Sequence, residues 1–126
     1  ASCGYSEVTF CESTDEGDVT RENEQMENQA LSTVRGDRRP EVPISSSTAM
    51  IGHTLTAAGA GEAVFSLQTM ISGVLPPTIN YDNPDPTIPL DAVPNFKRDK
   101  AVTSVLSNSF GFGGQNACLV MTAEPA

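Results

Sequence analysis

Apolar and polar positions alternate from Glu7 to Cys11, with Val8 and Phe10 on one side, which predicts a short strand. Thr14 to Thr20 is charged and contains glycine, and reads as a loop. From Arg21 to Val34, Met26, Ala30 and Val34 recur at a spacing of four while Glu22, Glu24, Gln25 and Glu27 face water, the pattern of a surface helix. Gly36 to Pro40 ends it, and Val42 to Ser45 starts extended. Met50 to Ser72 predicts a second helix of another kind, rich in Ala and Gly. From Ser45 to Tyr81, leaving His53 aside as neutral, Glu62 is the only charged residue. A helix without a charged face belongs inside something larger. Gly73 to Pro77 stops it, Thr78 to Asn80 is extended, and the prolines between 84 and 94 mark a loop. Ala101 to Leu106 and Ala117 to Thr122 read as a closing antiparallel pair, joined by a Ser/Gly/Phe loop from Ser107 to Asn116.

Alternating strands and helices define the α/β class, with four or five strands and two main helices. That is little for 126 residues with a helix needing cover on both sides, so the chain is expected not to complete its own core. Sixteen acidic against seven basic residues give a net charge of -9, which argues against nucleic acid or an anionic membrane surface as main partner. Cys3, Cys11 and Cys118 form no CxxC pair, and with a single His they leave little for a metal site, so none is expected. They read as small buried hydrophobes in a reducing, cytoplasmic compartment. No segment reads as a signal peptide or membrane span. The chain starts at Ala1, so processing or a longer product stays open.

Three stretches carry a resemblance. Ile44 to Ala63 reads ISSSTAMIGHTLTAAGAGEA, Leu75 to Pro86 reads LPPTINYDNPDP, and Ser107 to Asn116 reads SNSFGFGGQN. In order and spacing they resemble the β-ketoacyl synthases of fatty acid and polyketide assembly, most strongly over 43–121. The resemblance implies a thiolase-like fold built from two βαβαβαββ halves. Residues 1–126 would be most of the C-terminal half: a mixed sheet with a buried Gly/Ala-rich helix. It further implies condensation of an acyl group, held on a cysteine, with the carbanion left when malonyl on acyl carrier protein loses carbon dioxide. The nucleophilic cysteine belongs to the other half, so this chain alone lacks it. No cofactor is implied.

His53, after Gly52, matches the family's second active-site histidine. At a helix N-terminus the dipole favours the neutral ring, which can donate one hydrogen bond to an enolate or thioester oxygen. A buried structural histidine is the plain alternative. Glu62 matches a supporting glutamate, but Thr48 stands where the family has the lysine that pairs with it. A carboxylate there must find other donors such as Ser47 or Thr48, take up water or hold a proton. Thr14 stands where the family has its first histidine, and its hydroxyl cannot do acid/base work near neutral pH. Phe112 matches a gating phenylalanine, with Gly111, Gly113, Gly114 and Asn116 forming the pocket loop and Gln115 replacing a threonine.

Three roles follow from the resemblance. The chain is a ketosynthase-like subunit that contributes fold, acyl tunnel and part of the pocket, similar to a chain length factor. Alternatively it is half of an active split synthase, or a purely structural subunit. Its expected partners are a complementary N-terminal ketosynthase half or ketosynthase subunit and an acyl carrier protein.

Overall fold

The computed structural model describes residues 10–13, 28–30, 32–33, 42–88, 90–111 and 113–123. The expectations for 14–20 and 36–40, and those for Cys3, Thr14 and Phe112, lie outside them.

Four strands make the main sheet: β1 (Phe10–Ser13), β2 (Ile44–Ser45), β5 (Ser104–Gly111) and β6 (Gln115–Thr122). Their order is β2-β1-β5-β6; β2, β1 and β5 run parallel and β6 returns antiparallel. A second sheet pairs β3 (Val74–Leu75) with β4 (Arg98–Asp99). Residues 28–30 and 32–33 are helical, within the helix expected from Arg21 to Val34.

Register decides which side chains share a face, because in-register neighbours project the same way and successive residues alternate. Cys11 lies beside Ile44 and Leu106, and these pack with Val42 and Leu90 into one small core. Phe10 lies beside Val105, and on that opposite face they join Leu75, Val93, Val102, Met70 and Met121. Glu12 follows Phe10 by two residues and therefore points into this second face, next to Ser45 and Ser107.

The expected Met50–Ser72 helix is three pieces. A single turn, α1 (Thr48–Ile51), ends at Gly52, whose φ of 78° carries the chain into conformations that a side chain resists. A 3₁₀ turn at Leu55–Ala57 then leads into α2 (Ala58–Ser72), closed by Gly73 in the left-handed conformation. His53 therefore stands in the break ahead of α2 and not on its first turn. α2 lies on the Phe10 and Glu12 face: Met70 packs into that core, and a Cβ at Gly59 would come 3.2 Å from Ser109 Oγ. Its buried residues are Ala58, Glu62, Ser66 and Thr69, whereas Val64 and Ile71 are 63% and 80% exposed.

Two further expectations change. The Ser107–Asn116 loop is mostly strand, since the ladder runs to Gly111 opposite Gln115. Cys11 is buried as expected, but Cys118 lies exposed on β6 because that edge strand has little covering it. Among the described residues no helix is long and apolar enough to cross a membrane.

Candidate functional site

The carboxyl ends of β1, β2 and β5 lie along one edge of the sheet, where open α/β sheets commonly place ligands. β2 leaves that edge through Ser46 and Ser47 into α1 and on to Gly52 and His53. β5 leaves it at Gly111 for the glycine hairpin. The beginning of α2 crosses β5 at Ser109, so the segment holding His53 and the hairpin share this end of the fold.

His53 is half-buried, and its Nδ1 accepts the backbone N–H of Leu55 at 3.2 Å. A nitrogen accepting that bond carries no proton, so the neutral ring bears its hydrogen on Nε2. Leu55 itself has a φ of 55° and a side chain that is 75% exposed. Such a conformation costs a residue with a Cβ about 1–3 kcal/mol, and here it aims an amide at the imidazole.

Glu12 is fully buried, with Oε1 accepting the Ser47 N–H at 2.6 Å. Oε2 finds no hydrogen-bond partner among the described residues, nor do the hydroxyls of Ser45, Ser47 and Ser66. Desolvation pushes the Glu12 carboxyl up to about 8 against the pull of Ser47, and the charge of Glu62 adds to the rise. The Ser47 hydroxyl neighbours this carboxyl without reaching hydrogen-bond geometry. Glu62 is buried too, and Thr48, at the position where lysine was expected, donates to its Oε1 across a long 3.5 Å. The structure thus gives Glu62 one of the hydroxyl donors the sequence left open.

Gly113 and Gly114 have φ of 89° and 82°, as a tight connection between β5 and β6 requires, and no atom lies within 4 Å of a Cβ built on either. Asn116 sits opposite Phe110 and is exposed. Thr48 and Glu62 are brought together across the α1–α2 segment, and His53 lies between them in the chain, with Gly111, Gly113 and Gly114 at the same end of the sheet. Sequence reading missed the buried acid at Glu12, although its alternation with Phe10 already turned it inward.

Residues 3–82 match the family described as β-ketoacyl synthase, C-terminal domain. The chain belongs to the β-ketoacyl synthase family. This synthase domain is 42% identical over 106 residues to 3-oxoacyl-[acyl-carrier-protein] synthase 2 of Coxiella burnetii, spanning 84% of the chain and 26% of that relative. It is 43% identical over 105 residues to the tetracenomycin polyketide synthase ketoacyl synthase alpha subunit of Streptomyces glaucescens, 83% of the chain and 25% of that protein. It therefore spans about a quarter of these relatives' length. Its fold matches a chain of a type II polyketide synthase acyl-carrier protein in complex with its ketosynthase bound to the hexaketide. The TM-score is 0.88 and the identity 34%, covering 95% of this chain and 29% of that one. The ishigamide ketosynthase/chain length factor matches with a TM-score of 0.85 and 33% identity, over 95% and 29%. The synthase domain accordingly has the thiolase-like fold.

Proposed function

We propose that this domain supplies the His53 wall of a pocket for decarboxylative condensation of acyl and malonyl thioesters, in fatty acid or polyketide biosynthesis. The observation that carries the reading is the hydrogen bond from Leu55 N–H to Nδ1, which leaves Nε2–H as a fixed donor. Loss of carbon dioxide from a malonyl thioester leaves an enolate whose negative oxygen needs a preorganised donor. The carbanion carbon then attacks the acyl thioester, and the sulfur of the missing half's cysteine leaves. Nε2–H can hold that oxygen without giving up its proton, so the other residues of the pocket come from a complementary ketosynthase half or subunit. Thioesters delivered on an acyl carrier protein fit this reading, since one structural neighbour is a ketosynthase in complex with such a carrier.

A second reading, a chain-length-factor-like wall without chemistry, is favoured by Thr48 where the family has lysine and Thr14 where it has its first histidine. Combining the chain with a ketosynthase half that carries the nucleophile separates the two. Malonyl-carrier decarboxylation and condensed product that need both halves support the proposal. If neither appears, and enlarging Phe112 only shifts the product length of a partner active by itself, the passive reading replaces it.

A further inference from the structure

α1 is one turn long, too short to hold itself together. Its amino end receives no side-chain cap, because the Ser47 hydroxyl makes no hydrogen bond. Yet this turn leads directly to Gly52 and His53. The Met50 and Ile51 amides bond back to Ser47 O at 2.9 and 3.2 Å, and the Gly52 amide to Thr48 O at 2.9 Å, so the turn hangs from Ser47. Ser47 hangs in turn from Glu12, whose Oε1 takes its amide at 2.6 Å from the neighbouring strand.

The groups facing Glu12 show in which form it does this. In register beside it stand Ser45 on β2 and Ser107 on β5; the segment after β2 brings Ser47, and α2 brings Glu62, with Ser66 one turn further on. Among these described residues Glu62 is the only ionisable group, and its charge repels a second negative charge. A fully buried carboxylate with one N–H donor, an unpartnered Oε2 and a like charge nearby is poorly solvated. The single short bond from Ser47 favours ionisation but does not outweigh the burial.

We propose that Glu12 is a positioning residue for His53: as a buried neutral acid it holds the Ser47 amide, and through it the turn that delivers the imidazole. The inference rests on His53 being the imidazole of the proposed pocket. When Glu12 loses its proton, a buried charge is left with one bonded N–H donor among the described residues, and the neighbouring serine hydroxyls, the strand end and the turn must rearrange to solvate it. The orientation of His53 and the ionisation of Glu12 are therefore coupled.

His53 is the only histidine of the 126-residue chain, so one labelled ring reports the coupling. The full chain, carrying ring-¹⁵N histidine and bound to an unlabelled complementary half, is titrated between about pH 7 and about pH 9. Expected for the wild type is an acceptor-type Nδ1 with hydrogen on Nε2, and a shift of both signals with a midpoint near the Glu12 value of about 8. Glu12→Gln keeps the acceptor without the charge, so it should keep the neutral-pH signature and lose the step. Glu12→Leu removes the acceptor and should lose the signature throughout. A Gln variant that keeps the step, or loses the signature or fold where the wild type keeps them, overturns the proposal. So does a Leu variant that behaves like the wild type. The readout needs no turnover, so an inert His53→Ala beside an intact step defeats only the functional reading.

Discussion

The two faces of α2 reverse what a surface helix shows. Toward the sheet it buries Ala58, Glu62, Ser66 and Thr69; away from it, Val64, Leu67 and Ile71 stand exposed. A helix folding in water alone would place these residues the other way round. The inner face sets the polar side chains of Glu62, Ser66 and Thr69 against the sheet, and the outer face leaves apolar side chains uncovered. The chain's quarter share of its relatives' length fits that difference.

Charging the outer face should have the largest effect. Leu67→Asp or Ile71→Asp leaves the internal contacts of this chain intact, so its own stability should change by no more than about 0.5 kcal/mol. Burying that charge under a complementary half costs several kcal/mol, so co-purification should be lost. If both variants assemble as well as the wild type, the outer face is no interface.

The inner face yields a pH dependence. Glu12 binds its proton up to about 8 when folded, against an ordinary value of 4.5, so between these values the folded state holds a proton that the unfolded chain releases. The Glu12 contribution to stability should be largest below 4.5, fall as pH rises toward 8, and be flat beyond. The loss amounts to a few kcal/mol at about 1.4 kcal/mol per unit, and urea titrations across this range should show it. Glu12→Gln should remove this contribution, and an unchanged slope in that variant would mean that Glu12 is ionised in the fold.

Two glycines sharpen the contrast at smaller scale. A Cβ at Gly59 meets Ser109 Oγ at 3.2 Å, whereas one at Gly61 meets nothing within 4 Å. Gly61→Ala should therefore stabilise this chain by about 0.5–1 kcal/mol through helix propensity, and Gly59→Ala should gain less or lose. If Gly61→Ala nevertheless weakens assembly, the partner's backbone approaches there. The smallest effect belongs to the loop before β4, where Arg98 holds both carboxylate oxygens of Asp91, with Nη2 at 2.8 Å from Oδ1. The Arg98 bond holds the Asp91 carboxyl below its ordinary 3.8. Its contribution is present above that value and lost as pH falls through the lowered one. Being partly exposed, the pair is worth at most about 1 kcal/mol, so Arg98→Ala should shift thermal unfolding only slightly at neutral pH.

What the sequence made legible follows the physics of each segment. Alternation placed a strand at Phe10, the Ala/Gly run marked a helix unsuited to solvent, and the Gly-His pair marked the histidine of the proposed pocket. The run from Ser107 to Gly111 was missed as strand because Ser, Asn and Gly have low strand propensity; its burial between β1 and β6 overrides that. β3 and β4 have two residues each, too few to set a period. The break at Gly52 was hidden because apolar spacing continues across it, and only the backbone shows that His53 precedes α2. Glu12 sat in an acidic stretch that reads as solvated, which masked the inward alternation it shares with Phe10.

The central claim is that His53 Nε2–H, locked by Leu55, serves the chemistry of a pocket completed by another half. Malonyl-carrier decarboxylation by the assembled halves, compared between wild type and His53→Ala, tests it most directly. The account predicts a loss of roughly 10²–10³-fold with assembly intact, the effect of removing one oxyanion donor. An assembled His53→Ala pair that decarboxylates at the wild-type rate would contradict it.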